Sequence, residues 1–150
     1  MRRAREAQIA NGIPPAWSTV ATDRVETDIA QECAYVMRNG GVVIGALAIR
    51  TDDVEVWGDQ PPDALYIHRL AIEPTMQRCG LGSRAIAWAE QRALSDERTM
   101  LRLDAVAENT VLASWYQRLG FEPRGAVQPP CYRRLSMRYE KRLALTSAEC

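Results

Sequence analysis

The stretch Gln77-Arg78-Cys79-Gly80-Leu81-Gly82-Ser83-Arg84-Ala85 carries the most chemical information in the chain. Two glycines one residue apart let the backbone turn tightly and come close to a ligand. Residues 80–94 read as a helix, so the unpaired N–H groups of its first turn face whatever lies ahead of it. With the helix dipole they make a site for a phosphate or pyrophosphate. Arg78 and Arg84 can add charge-assisted contacts. One reading of this loop is a connector that binds nothing. A second is a dinucleotide site, because Gly80-x-Gly82-x-x-Ala85 fits the GxGxxA pattern, with Asp104 about twenty residues further on, where a ribose-binding acid belongs. Spacing weighs against the second: a dinucleotide turn follows its strand at once, whereas Glu73 to Cys79 intervene here.

The other reactive side chains are few. His68 is the single histidine, and its ordinary pKa near ~6.5 suits proton transfer. Cys33, Cys79, Cys131 and Cys150 are far apart and form no CxxC pair. They are read as free thiols in a reducing compartment. One histidine and scattered cysteines predict no metal cluster. Cys79 stands at a helix start, where a thiol pKa falls; it is read as structural.

Bulk composition removes further classes. The chain has 150 residues, 47% of them hydrophobic, enough for one domain over 1–150 with one core. Nineteen basic residues balance nineteen acidic ones. A neutral chain has no bulk electrostatic reason to seek nucleic acid or an anionic membrane. No signal-peptide core follows the charged N-terminus, and no apolar run approaches the ~20 residues of a membrane span, which predicts a cytoplasmic protein. Lys141 is the single lysine among many arginines, a hint of a GC-rich bacterial genome.

Elements must position these residues. Helices are expected over 2–10 and 22–31. Strands follow at 33–37 and 42–49, with the hairpin signal Asn39-Gly40 between them. Residues 51–63 hold five acids and Pro61-Pro62, and are read as a solvated polar loop. A strand over 65–72 ends at Glu73-Pro74. Leu81, Ala85, Ala89 and Ala93 give the helix over 80–94 a face of small side chains that can lie close to a sheet. Residues 99–105 alternate, with Arg102 and Asp104 on the polar side. Asn109 caps a helix that stops at Gly120. A last strand spans 135–140. The order predicts an α/β fold, a mixed sheet with helices packed on it.

Two motifs in this order resemble the GNAT N-acetyltransferase family. Gln77-Arg78-Cys79-Gly80-Leu81-Gly82 matches its Gln/Arg-x-x-Gly-x-Gly/Ala pattern, just after the strand Leu70-Ala71-Ile72. Downstream, Trp115-Tyr116-Gln117-Arg118-Leu119-Gly120-Phe121 matches its Tyr-x-x-x-Gly-Phe segment. The resemblance covers residues 28–142 and implies a mostly antiparallel sheet. The family's usual first strand is missing from the sequence, so the sheet edge is bare, is filled by another chain as in a homodimer, or belongs to residues upstream of this start.

The resemblance implies transfer of acetyl from acetyl-CoA, the co-substrate, to a small-molecule or peptide amine. The N–H groups of Gln77, Arg78, Cys79, Gly80, Leu81, Gly82 and Ser83 would hold the pyrophosphate. The backbone of Leu70, Ala71 and Ile72 would pair with the pantetheine arm in a gap beside the 101–105 strand, and one N–H there would polarise the thioester. Asn109 would bind the same arm. Tyr116 would protonate the leaving thiolate; on composition alone it is a core aromatic. His68 or Glu73 would take the amine proton. A non-catalytic acyl-CoA-binding domain is the alternative. Trp17, Trp57 and Tyr132 are expected to line the acceptor side, together with the loops 51–63 and 128–131.

Overall fold

The structure, a computed structural model, describes residues 2–10 and 22–144. Two short helices, α1 (Arg2–Ala10) and α2 (Thr22–Ala30), precede the hairpin β1 (Ala34–Asn39) and β2 (Val42–Arg50). Then come α3 (Val54–Trp57), β3 (Ala64–Ile72), a 3-10 turn (Pro74–Met76), α4 (Leu81–Ser95), β4 (Met100–Val106), α5 (Thr110–Arg118), β5 (Glu122–Val127) and β6 (Ser136–Arg142). The six strands form one sheet in the order β1-β2-β3-β4-β6-β5. The β3–β4 pair, bridged by α4, is parallel, and the other pairs are antiparallel. Among the described residues no strand pairs with the outer edge of β1.

The β1–β2 turn places Gly40 at φ 55° and Gly41 at φ 86°. Two consecutive positive φ angles are what a two-residue hairpin turn of this hand demands. On one face of the sheet Leu47, Ile49, Leu65, Ile67, Leu101 and Leu103 pack under Ile86, Ala89 and Ala93 of α4 and Tyr116 of α5. Alanines on the inner face of α4 bring its backbone near the strands, as its small-residue spacing predicts.

Three expectations need correction. The 51–63 segment is not wholly a solvated loop: Val56 and Trp57 of α3 are buried against Ala64, Tyr66 and Met100 on the second face of the sheet. Four residues are too short to show helical periodicity in sequence. Arg102 does not face solvent. It is 4% exposed, donates to Glu140 Oε2 at 2.7 Å and to the Tyr66 hydroxyl at 2.9 Å, and lies 5.2 Å from the Trp57 ring. β5 carries no strand signal in the sequence, because it contains Pro123 and Gly125. Among the described residues it pairs only with β6, and it carries an irregularity between Pro123 and Ala126. A sheet-edge position tolerates a proline that cannot donate to a ladder.

Candidate active site

The site begins where the parallel pair comes apart. β3 and β4 are in register from Ala64↔Met100 to Ile67↔Leu103 and no further. β4 stays with β6 through Val106, and β3 stays with β2 through Ile72. The two strands therefore splay from His68 and Asp104 onward. A cleft of about 760 Å³ opens in the gap.

A bulge sharpens the divergence. Ala46 pairs with Ala71 and Ala48 with His68, so Leu47 alone opposes both Arg69 and Leu70. An extra residue leaves the ladder locally unpaired and bends its strand. Arg69 adopts φ 53°, unusual for a side-chain-bearing residue. Asp28 of α2, almost fully buried, holds it there. Its Oδ2 accepts from Arg69 Nε at 2.9 Å, and its Oδ1 accepts from Arg50 Nε at 2.8 Å. One carboxylate thus ties α2 to both strands of the bulged pair.

The mouth of the cleft is the N-terminus of α4. Gly80, its N-cap, lies at φ 77° and no side chain caps the first turn. The N–H groups of Leu81, Gly82 and Ser83 thus lack intrahelical partners, and these residues line the cleft. A Cβ on Gly80 would meet nothing within 4 Å, so its glycine is required by the backbone angle. Gly82 is required by space: a Cβ there would lie 3.0 Å from Trp115 Cζ2. Arg78, at φ 61°, and Gln77 also line the mouth. Cys79 does not; it is exposed, with its thiol near the Gln77 carbonyl oxygen at 3.6 Å.

Leu70, Ala71 and Ile72 form the β3 wall, and Asn109, Leu112 and Tyr116 close the far side. Asn109 is 1% exposed and its Oδ1 accepts from Leu112 N at 3.1 Å, the helix cap expected of it. Tyr116 is buried among Trp115, Phe121 and Tyr139, and burial raises its pKa. A phenol in that state keeps its proton at neutral pH and remains a donor.

His68 lies at the apex of the splay. Burial, with Arg50 and Arg69 nearby, pushes its pKa down to about 3, so the imidazole is neutral. The Asp53 carboxylate is 3.4 Å from Nε2; the upward pull on the imidazole comes from Asp28, and desolvation and the guanidiniums outweigh it. A base that weak is poorly matched to an ammonium. Glu73, the other candidate, does not line the cleft and pairs with Arg3 at 3.2 Å.

Two acids stand beside His68. In sequence Asp53 reads as one of the solvated acids, but its side chain is 10% exposed, and burial with Asp104 raises its pKa to about 7. Asp104, on the polar side of β4, accepts from Ser136 Oγ at 2.5 Å, and burial raises its pKa. Atoms of Asp53, His68 and Asp104 lie within 4.8 Å of one another. The expectation of no metal-competent group counted histidine and cysteine and left carboxylates out. Register could have revealed Asp104, which follows Leu103 as His68 follows Ile67; nothing in the sequence separates Asp53 from its acidic neighbours. Of the expected acceptor-side aromatics, Tyr132 lines the cleft, Trp57 belongs to the second core cluster, and Trp17 lies outside the described residues.

This geometry has counterparts among known proteins. An N-acetyltransferase of Bacillus subtilis, YesJ, is 41% identical over 75 residues, 49% of this chain and 42% of that protein, so the match spans less than half of that relative. The S-(2-succino)cysteine N-acetyltransferase of the same organism is 28% identical over 127 residues, 82% of this chain and 74% of that one. A Bacillus subtilis acetyltransferase solved in complex with CoA superposes with a TM-score of 0.63 at 15% identity, covering 83% of this chain and 86% of that one. No helix among the described residues is long and apolar enough to cross a membrane. The model of the acetyltransferase (GNAT) family matches residues 5–121, which take in the bulged strand, the glycine turn and the Tyr116 helix, and the chain belongs to that family.

Proposed function

We propose that this chain transfers acetyl from acetyl-CoA directly to the amine of a small molecule or peptide, with both substrates bound together. One observation carries the reading: a single cleft runs from the uncapped start of α4, along the unpaired edge of β3, to the buried Tyr116. The N–H groups of residues 81–83 suit a pyrophosphate. The unpaired β3 edge at Leu70, Ala71 and Ile72 suits an amide-bearing arm, which adds to a sheet edge as a strand would. The bulge releases a backbone N–H beside the same point, placed to polarise a thioester carbonyl. Asn109 borders the arm's path.

The reaction balances without a further reagent. The ammonium first loses one proton to solvent, and the lone pair of the free amine forms the C–N bond. The C–S bond breaks toward sulfur, and the thiolate takes the Tyr116 proton. The second proton on nitrogen restores the phenol as the amide forms.

Calorimetry with acetyl-CoA, followed by thiol release across an amine panel, tests the reading. Tyr116→Phe should lower kcat about 100-fold and leave acetyl-CoA affinity unchanged. Absence of acetyl-CoA binding refutes the proposal. Binding without turnover of any amine leaves only a non-catalytic acyl-CoA-binding domain.

A further inference from the structure

Charge is unevenly placed along the cleft. Of the charged side chains that line it among the described residues, Arg24, Arg69, Arg78, Arg133 and Arg134 are cations and Asp104 alone is an acid. None of the acids between Asp52 and Asp63 reaches its wall. A cleft lined by one sign of charge focuses the field and concentrates ligands of the other sign.

Three of these guanidiniums already have a place. Arg69 donates to Asp28 and to the Arg24 carbonyl oxygen. Arg134 stands 3.6 Å from Glu108. Arg78 belongs to the glycine turn at the mouth. Arg133 is different: it is exposed and has neither a hydrogen bond nor an ion pair among the described residues. Arg24 engages one nitrogen, Nη2, with Cys131 Sγ at 3.1 Å and Glu55 Oε2 at 3.4 Å. Its Nε and Nη1 have no partner among the described residues. Nor does Glu55 hold Arg24 firmly. The two side chains are 56% and 39% exposed, and ion pairs in water are weak.

These two cations share one wall. Arg69 Nη2 donates to the Arg24 carbonyl oxygen at 3.2 Å, which holds Arg24 of α2 beside the bulge of β3. Cys131, the thiol that Arg24 touches, stands two residues before Arg133 on the loop joining β5 to β6. That loop is turned back on itself by Tyr132 N donating to the Pro129 carbonyl oxygen at 2.9 Å. The wall is therefore made by α2 and the β5–β6 loop, not by the α4 turn that suits a pyrophosphate.

We propose that Arg24 and Arg133 form an anion subsite for a carboxylate of the acceptor, so that the chain acetylates amines that carry a carboxylate and disfavours polyamines. The inference rests on the acetyl-transfer reading and narrows the acceptor of that same site. Guanidinium N–H groups match a carboxylate in geometry as well as charge, so they fix its orientation. With the anion held at this wall, the amine end is left to reach the splay, where the bulge of β3 frees a backbone N–H for the thioester. A polyamine would instead set further cations against guanidiniums, a like-charge contact that lowers affinity.

The test offers the full chain acetyl-CoA and a panel of amino acids, each paired with its carboxamide, together with spermidine. The acids should exceed their amides in kcat/KM by about 10-fold or more, and exceed spermidine as well. Arg133→Gln should raise the KM of the acids about 10-fold at constant kcat. Glu55→Gln removes the carboxylate that competes for Arg24 and should lower that KM, by up to about 5-fold. Amides equal to acids, or spermidine preferred, would overturn the subsite and leave the acetyl-transfer reading standing. So would an Arg133→Gln variant that loses acetyl-CoA affinity and keeps the KM of the acids, because the arginine then serves a cofactor phosphate. If acetyl-CoA does not bind at all, that reading falls, and calorimetry of the chain alone with succinate and with succinamide decides the subsite. Binding of succinate alone upholds it; binding of neither, or of both equally, overturns it.

Discussion

Asp28 should be among the costliest side chains to remove, although no sequence pattern marks it. Its carboxyl is 2% exposed, while Arg69 is 13% and Arg50 30% exposed. Asp28→Ala strands two guanidiniums on one sheet face. Breaking a buried ion pair by removing one partner costs about 3–5 kcal/mol. Arg50 reaches water, which places the cost near the lower end, about 3 kcal/mol. For a chain of this length each kcal/mol moves Tm by about 2–4 °C. The variant should thus melt about 6–12 °C below wild type and show a lower urea midpoint at unchanged slope. Asp28→Leu combined with Arg69→Met removes charge from both sides and should recover much of the loss, because paired buried charges are replaceable by apolar groups. A Tm drop under about 2 °C, or strict additivity of the two substitutions, would refute the clamp and with it the account of how the bulge holds Arg69 at a positive φ.

Two further sets of variants probe the cleft. Gly80→Ala should cost about 1–2 kcal/mol through its left-handed backbone alone, whereas Gly82→Ala should cost about 1–3 kcal/mol through contact with Trp115. Trp115→Leu should therefore relieve the second and not the first, as urea melts will show. At the apex, Asp53 is raised from 3.8 to about 7, so the native state holds a proton the unfolded chain has lost, and this term lowers stability as pH rises across that window. His68 is lowered from 6.5 to about 3, so the unfolded chain holds the extra proton, and this term raises stability as pH rises between those values. The two slopes oppose each other between about pH 4 and 6.5. Urea melts should find Asp53→Asn gaining stability through that range and His68→Gln losing it; parallel slopes in the two variants would disprove the coupling.

Local signals were enough for the parts of this protein that are local. The two-glycine turn before α4, the Asn109 cap, the β1–β2 hairpin and the small-residue face of α4 are each written in a few adjacent residues, because backbone angle, capping and helical spacing act over one or two turns. That is why the family resemblance, the order of elements and most of the cleft lining could be read from residues 65–121. Long-range pairing decided the rest. Whether β3 and β4 separate at His68 and Asp104 depends on β2 and β6 holding them apart, and no property of either strand's own sequence encodes that. Asp53 and Arg102 read as solvated because their neighbours are polar. They are buried because α3 folds Trp57 over the second face of the sheet, and charge balance at the apex is summed across α2, α3, β2, β3 and β4. Burial and Coulomb energy depend on distance in space, so a one-dimensional pattern could supply the groups while only the packed sheet could set their pKa values and bring them to one point.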